Sequence, residues 1–281
     1  MAKVGLVLEG GAMRGMFTAG VLDVFLDEAI QIDGIVAVSA GALFGVNFPS
    51  KQRGRALRYN LRFLTNPRYI GFRNWLREGN VVGRDFAFYD VPFKLDIFDN
   101  QTFKQSKIPF YATLTNVSTG KAEYHQIHDV FEQMETLRAT SALPFFSKMV
   151  EVNGQKYLDG AEADSIPLNF CQQLGFDKII VVLTRPADYR KAPALQWLNK
   201  LVYGKYPNLV NTMNNRYADY NQRIEQINQL GEQGDIFVLR PSQKIAIKRL
   251  ENDPKKIQAM YELGIRDATA QMPLLKTYLT T

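Results

Sequence analysis

Cysteine and histidine are scarce: 281 residues hold one of the first, Cys171, and two of the second, His125 and His128. A lone thiol excludes a disulfide within the chain, which suits a reducing compartment. Long apolar runs are missing as well. The longest stretch without a charge, Gly34 to Ser50, is interrupted by Ser39, Asn47, Pro49 and three glycines. It reads as strand, turn and helix rather than as a membrane span. The opening apolar run, VGLVL, is too short for the core of a secretory leader and is soon followed by Glu9. These features predict a soluble, cytoplasmic protein. The chain also lacks zinc and helix-turn-helix motifs, internal repeats and low-complexity linkers, so nucleic acid is not an expected partner.

What is present favours a well-packed domain. Apolar residues make up 46% of the chain and charged ones 22%, enough to bury a full core. The net charge of +6 is unevenly placed. Lys51 to Arg84 holds nine Lys or Arg and a single acid, Glu78, so this segment is +8 and the remainder −2. Tyr59, Phe63, Tyr69, Phe72 and Trp75 are interleaved with the cations. Such a pattern suits an anionic membrane surface or a nucleic acid, and equally a solvated helix face with a buried aromatic side.

The first 48 residues read as strand (3–8), glycine-containing loop (10–15), helix (16–30), strand (35–38), turn and helix (40–46). That is a βαβ unit followed by a further helix, and it predicts α/β architecture: a mostly parallel sheet covered by helices on both faces. Further strands are expected at 108–116, 121–126, 178–183 and 236–239, with a hairpin around Asn153-Gly154. Helices are expected at 129–140, 167–174, 208–230 and 255–269. This organisation divides the chain into a core over 1–186, carrying a basic and aromatic lobe at 51–98, and a remainder over 187–281 with one more core strand and a helical extension.

Three motifs carry chemistry. IVAVSAGAL sets Ser39 directly after a buried strand and before a helix of small residues, the context of a nucleophile elbow. Ala37, Ala40 and Gly41 allow the close approach that such a turn needs, although Ala37 stands where glycine is usual. A capping serine at a helix start is the competing reading. EGGAMRG, Glu9 to Gly15, can turn the amides of Gly10, Gly11 and Ala12 onto an anion, with Arg14 beside them. It lacks the G-x-G-x-x-G and G-K-[ST] spacings of nucleotide loops. Asp159, in KYLDGAEADSIP, ends a strand before small residues and can approach another loop. Alone, it would read as an Asp-Gly turn. Serine needs a proton acceptor. Asp159 fits better than His125 or His128, which lie in AEYHQIHD without an orienting motif, although His128 with Asp129 stays open.

Strand-EGGAMRG-helix, strand-AVSAG-helix, then SALPFF followed by LDGA resembles the patatin-like phospholipase family in order and spacing, over roughly Val4 to Thr184. The resemblance implies a three-layer α/β/α fold. It implies Ser39 as nucleophile, Asp159 as the second member of a Ser–Asp dyad, and an oxyanion loop of Gly10, Gly11 and Ala12 with Arg14 next to it. The reaction implied is hydrolysis of an acyl ester lipid through an acyl-serine, without metal or organic cofactor. Ala12, where a third glycine is common, and Ala37 depart from the family pattern. A soluble carboxylesterase or thioesterase, and a non-catalytic lipid-binding or regulatory protein on the same fold, are the alternatives.

Overall fold

Strands that are apolar at every position belong in the middle of a sheet covered on both faces. In the computed structural model, which describes residues 2–281, this holds for β1 (Val4–Leu8) and β2 (Gly34–Val38), buried at every residue. A tight helical turn, Ala12–Gly15, leads from β1 into α1 (Met16–Asp27). Ser39 alone separates β2 from α2 (Ala40–Gly45). The lobe that follows comprises α3 (Arg55–Phe63), α4 (Phe72–Glu78) and a π-helical segment with more residues per turn, Phe86–Leu95. Then come α5 (Asn100–Gln105), β3 (Phe110–Asn116), β4 (Ala122–Ile127), α6 (Met134–Thr140), the hairpin of β5 (Val150–Val152) and β6 (Gln155–Asp159), α7 (Leu168–Gln173) and β7 (Lys178–Val182). The chain continues through α8 (Gln196–Tyr203), α9 (Pro207–Gln233), β8 (Phe237–Leu239) and α10 (Pro254–Thr280).

Strands β3, β2, β1, β7 and β8 run parallel, side by side in that order. The mostly parallel, helix-covered sheet expected from the sequence is therefore present. Side chains alternate between its faces. Leu6, Leu8, Ile35 and Val182 pack with α1 and α10, whereas Val7, Val36, Ile179 and Val181 pack with α7 and α9. Antiparallel β4 takes one edge of β3 along Phe110 to Thr115. The other edge is shared. β2 pairs there as far as Val38 opposite Thr113, and β6 takes over at the next residue, with Asp159 opposite Leu114. Because β2 runs with β3 and β6 against it, their C-terminal ends meet head on.

The basic lobe is largely neutralised. Arg53 pairs with Asp27, Arg55 and Arg58 with Asp96, Arg68 with Asp90, and Arg84 with Asp85 and Glu135. Each of these acids lies outside residues 51–84, so a local charge count overstates the exposed charge. Phe63, Tyr69 and Phe86 form a small core of their own, while Phe72 and Trp75 on α4 stay exposed.

Residues 187–281 supply β8 at the sheet edge, α9 on one face and α10 on the other. α10 lies against α1 at two glycines. A Cβ on Gly20 would stand 2.2 Å from the Tyr261 carbonyl oxygen, and one on Gly264 2.2 Å from that of Phe17. The obstructing atoms are backbone, so relief requires the helices to separate. We expect Gly264→Ala to cost about 1–3 kcal/mol, read as a fall of several degrees in thermal midpoint by circular dichroism. An unchanged midpoint would mean that the helices do not lie this close.

Candidate active site

Ser39 sits on a strained turn. Its φ of 54° and ψ of −123° are unusual for a residue with a side chain. Neighbours hold it there. Its N–H donates to Thr140 Oγ1 at 3.0 Å, and that hydroxyl donates to the Thr113 carbonyl at 2.6 Å. The Ser39 carbonyl accepts the amides of Ala42 and Leu43, starting α2. Gly41 is required for close approach, because a Cβ there would lie 2.8 Å from the carbonyl oxygens of both Leu8 and Glu9. Ala40 packs beneath Gly15 in the same crowded corner. Ala37 lies within β2, in register with Leu8 and Ala112, so its methyl is compatible with the extended backbone.

The Ser39 hydroxyl donates to Asp159 Oδ2 at 2.7 Å. The other carboxyl oxygen, Oδ1, accepts the Ala161 amide at 2.8 Å. The Asp159 backbone is fixed through its N–H to Ala142 and its carbonyl from Thr115 Oγ1. Asp159 is 1% exposed. Burial pushes its carboxyl up to about 6, against the lowering effect of the bonds from Ser39 and Ala161 and of Arg216. No small-residue substitution is tolerated just after it, since a Cβ on Gly160 would stand 2.0 Å from the Thr113 carbonyl.

The glycine loop approaches from β1. A Cβ on Gly10 would fall 3.1 Å from that of Ser39. The Gly10 amide is directed to the Ser165 carbonyl at 3.4 Å. The Arg14 amide likewise bonds to the Gly11 carbonyl. Among the described residues, the amides of Gly11 and Ala12 have no acceptor. Ala12 has φ of 48° and manages without the third glycine. Glu9, 2% exposed, anchors the loop: it accepts the Thr184 hydroxyl at 3.0 Å and the Tyr220 hydroxyl at 2.8 Å, together with the Thr184 amide.

Two cavities meet at Ser39. One is apolar, lined by Leu43, Phe44, Val82, Phe88, Val91 and Leu137 among others, so the lobe residues from Tyr59 to Phe98 do wall a groove beside the serine. The other is polar and holds Asp159, Glu9 and the loop. Neither histidine lines either one. His125 faces Glu123 at 3.2 Å on β4, and the His128 amide donates to Gln133. Asp129 is engaged by Asn100 and Lys104, so the His128–Asp129 alternative has no contact with Ser39.

Sequence reasoning missed Thr140, Thr113, Glu9 and Tyr220. Only Glu9 left a signal, as an acid embedded next to a fully buried strand.

A helix-covered parallel sheet, with a serine on the turn after its second strand and a buried aspartate bonded to it, defines a class of α/β proteins built around a serine–aspartate pair. The family model described as patatin-like phospholipase matches residues 6–171, and a domain of unknown function (DUF6363) matches residues 206–280. The chain belongs to the patatin-like phospholipase family. It is 29% identical over 234 residues to the uncharacterized protein YjjU of Escherichia coli (strain K12), covering 79% of this chain and 65% of that protein. It is 25% identical over 209 residues to lysophospholipase NTE1 of Cryptococcus neoformans, covering 70% of this chain and 12% of that much longer protein. Among solved structures, VipD from Legionella pneumophila aligns with TM-score 0.47 and 11% identity, over 99% of this chain and 67% of that one.

A carboxyl whose pKa is raised on folding stabilises the protein fully below its unfolded value near 3.8, and that contribution is lost as pH rises through about 6. Asp159→Asn removes the buried charge. We expect the variant to be more stable than wild type at pH 8 by about 2–3 kcal/mol, and the gain to vanish near pH 4. Urea denaturation at the two pH values checks it, and equal stability at pH 8 would refute a costly carboxylate.

Proposed function

We propose that this protein is a lipid acyl hydrolase working through a Ser39–Asp159 dyad. The observation that carries the reading is the 2.7 Å bond from Ser39 Oγ to a buried carboxylate, set where an apolar cavity opens. A carboxylate titrating at about 6 is a stronger base than a solvated one, yet remains mostly ionised at neutral pH. Asp159 takes the hydroxyl proton as Ser39 Oγ bonds to the acyl carbon. The amides of Gly11 and Ala12 receive the oxyanion, where one donor is worth about 10²–10³ in rate. The C–O bond to the alcohol breaks, and the alcohol leaves with the proton from Asp159. Water then attacks the acyl-serine, giving its proton to Asp159. The fatty acid departs and Ser39 recovers its hydrogen. The apolar cavity takes the acyl chain. The lysophospholipase name of one relative agrees with a lipid ester as substrate.

A route to lipid is offered by two short helices tied to the segment that helps wall the apolar cavity. α4 exposes Phe72, Trp75 and Leu76; α8 exposes Trp197, Leu201 and Val202. Both are tied to Phe145, whose carbonyl accepts Trp75 Nε1 at 3.2 Å and whose amide donates to the Tyr203 hydroxyl at 2.9 Å. Phe145 lies between Leu143 and Ser147, which line the apolar cavity. Arg73, Arg77 and Lys200 on the same helices have no carboxylate partner among the described residues. Exposed apolar area ringed by free cations suits the surface of an anionic bilayer.

A fluorophosphonate probe should label Ser39, and labelling should be lost in Ser39→Ala and Asp159→Asn, each with ester turnover down about 10⁴-fold. Folded wild type that resists the probe would leave a binding protein. For wild type, kcat/KM on a neutral ester should climb as pH passes about 6 and then level off. Replacing Phe72, Trp75 and Leu76 together by serine should weaken co-sedimentation with phosphatidylserine-containing vesicles at least about tenfold. Undiminished sedimentation would remove α4 from the membrane contact.

A further inference from the structure

The polar cavity next to the dyad contains more positive charge than the chain neutralises. Arg14, Arg185, Lys191, Arg216 and Arg249 all line it, together with Ser39. Its two acids are already engaged. Glu9 serves Thr184 and Tyr220, and Asp159 serves Ser39 and Ala161; Arg216 also pairs with Glu162, behind the cavity wall, at 2.5 Å. Arg14, Arg185, Lys191 and Arg249 have no carboxylate within ion-pair distance among the described residues. Arg185 and Lys191 lie over the rings of Tyr189 and Tyr220, at 4.1 and 4.2 Å, which orient the cations without cancelling their charge. The Nε atoms of Arg14 and Arg216 are buried with no acceptor.

The cations also repel one another. Burial, then Arg185 and Arg249, lower the Arg14 guanidinium to about 10. Lys191 is held below its usual range by burial first, and by Arg216 and Arg249. Converging unpaired charges are costly where, as at Arg14, Arg185, Lys191 and Arg216, the side chains are half-buried, and an incoming anion reduces that cost; Arg249 stands exposed at the rim. Five cations against three carboxylates, Glu9 and Asp159 in the lining and Glu162 behind Arg216, leave a surplus of two when Lys191 is charged and of one when it is neutral.

The two cavities share Ala12, Ser39, Leu143 and Arg249. An ester poised at Ser39 with its acyl chain in the apolar cavity therefore directs its alcohol portion into the cationic one. We infer that the cationic cavity is a subsite for a dianionic phosphate on the alcohol portion of the substrate, so that the preferred ester is one of a phosphomonoester alcohol. A neutral glyceride leaves the surplus charge unmatched, and a zwitterionic headgroup adds a cation to it. The inference rests on the hydrolase reading of Ser39 for the direction of the substrate. Four of the five cations, Arg185, Lys191, Arg216 and Arg249, lie outside residues 6–171, so the subsite does not follow from family membership.

Binding to the Ser39→Ala protein tests the subsite without turnover. Isothermal titration would compare a monoacylglycerol phosphate, the monoacylglycerol and the phosphocholine ester of the same chain length, all below their micellar concentrations, with inorganic phosphate as a fourth ligand. The phosphomonoester lipid should bind at least about 30-fold more tightly than either other lipid. Inorganic phosphate should compete with it. Arg185→Gln with Arg249→Gln should bring the preference to within about threefold, and Lys191→Gln should reduce it independently. Equal binding of the three lipids would overturn the inference. So would tight inorganic phosphate binding with no lipid preference, which would mark a site for the free ion. A clear preference in a wild-type protein that hydrolyses no ester would leave the subsite standing and remove the hydrolase reading instead.

Discussion

Ser39 and Asp159 stand 120 residues apart in the chain, and their side chains meet at 2.7 Å because β2 and β6 end against each other on one edge of β3. The contact inherits its geometry from sheet hydrogen bonds rather than from a loop. That matters for the dyad proposed above, which has no intervening imidazole. A carboxylate bonded directly to a hydroxyl has no third group to absorb misalignment, and tenths of an ångström count. Thr140 adds a cross-brace: it binds the Ser39 amide and the Thr113 carbonyl, tying the strained turn to the strand on which both ends converge.

Around this contact the medium changes sharply over a short distance. On one side lie Phe44, Phe88 and Leu137; on the other, Arg14, Arg216 and Glu9. Asp159 is buried on the polar side, where desolvation raises its proton affinity and the hydrogen bonds from Ser39 and Ala161, then Arg216, restrain the rise. A carboxylate more basic than usual, yet mostly ionised at neutral pH, results from that opposition.

Much of this was legible in the sequence where the determinants are local. Fully apolar VGLVL and GIVAV gave away two central strands, and Asn153-Gly154 its hairpin, both residues taking positive φ. Ser39, Asp159 and the glycine loop were recognisable because their small neighbours serve close backbone approach, which Gly41 and Gly160 bear out. Determinants spread over distance were not legible. The charge of the 51–84 segment looked free because its partners Asp27, Asp90, Asp96 and Glu135 lie elsewhere. The long contact from the Gly10 amide to the Ser165 carbonyl had no local signal either. The expected helix over 129–140 forms only from Met134, since Asp129 Oδ1 captures the amides of Phe131 and Glu132 and holds the preceding residues in a turn. α10 runs beyond the expected 269 because Met272 and Leu275 still find core to bury against.

The bond from Tyr220 to Glu9 links α9 to the residue immediately before Gly10 and Gly11. Tyr220 falls in the stretch matched by the domain of unknown function, whereas Glu9, Ser39 and Asp159 fall in the patatin-like stretch. The two matched regions thus meet at the anchor of the glycine loop. Grafting the first onto an unrelated C-terminal partner would carry over every recognisable motif while releasing the buried acid that steadies the loop. In such a chimaera, an intact signature would no longer be a guide to an assembled site.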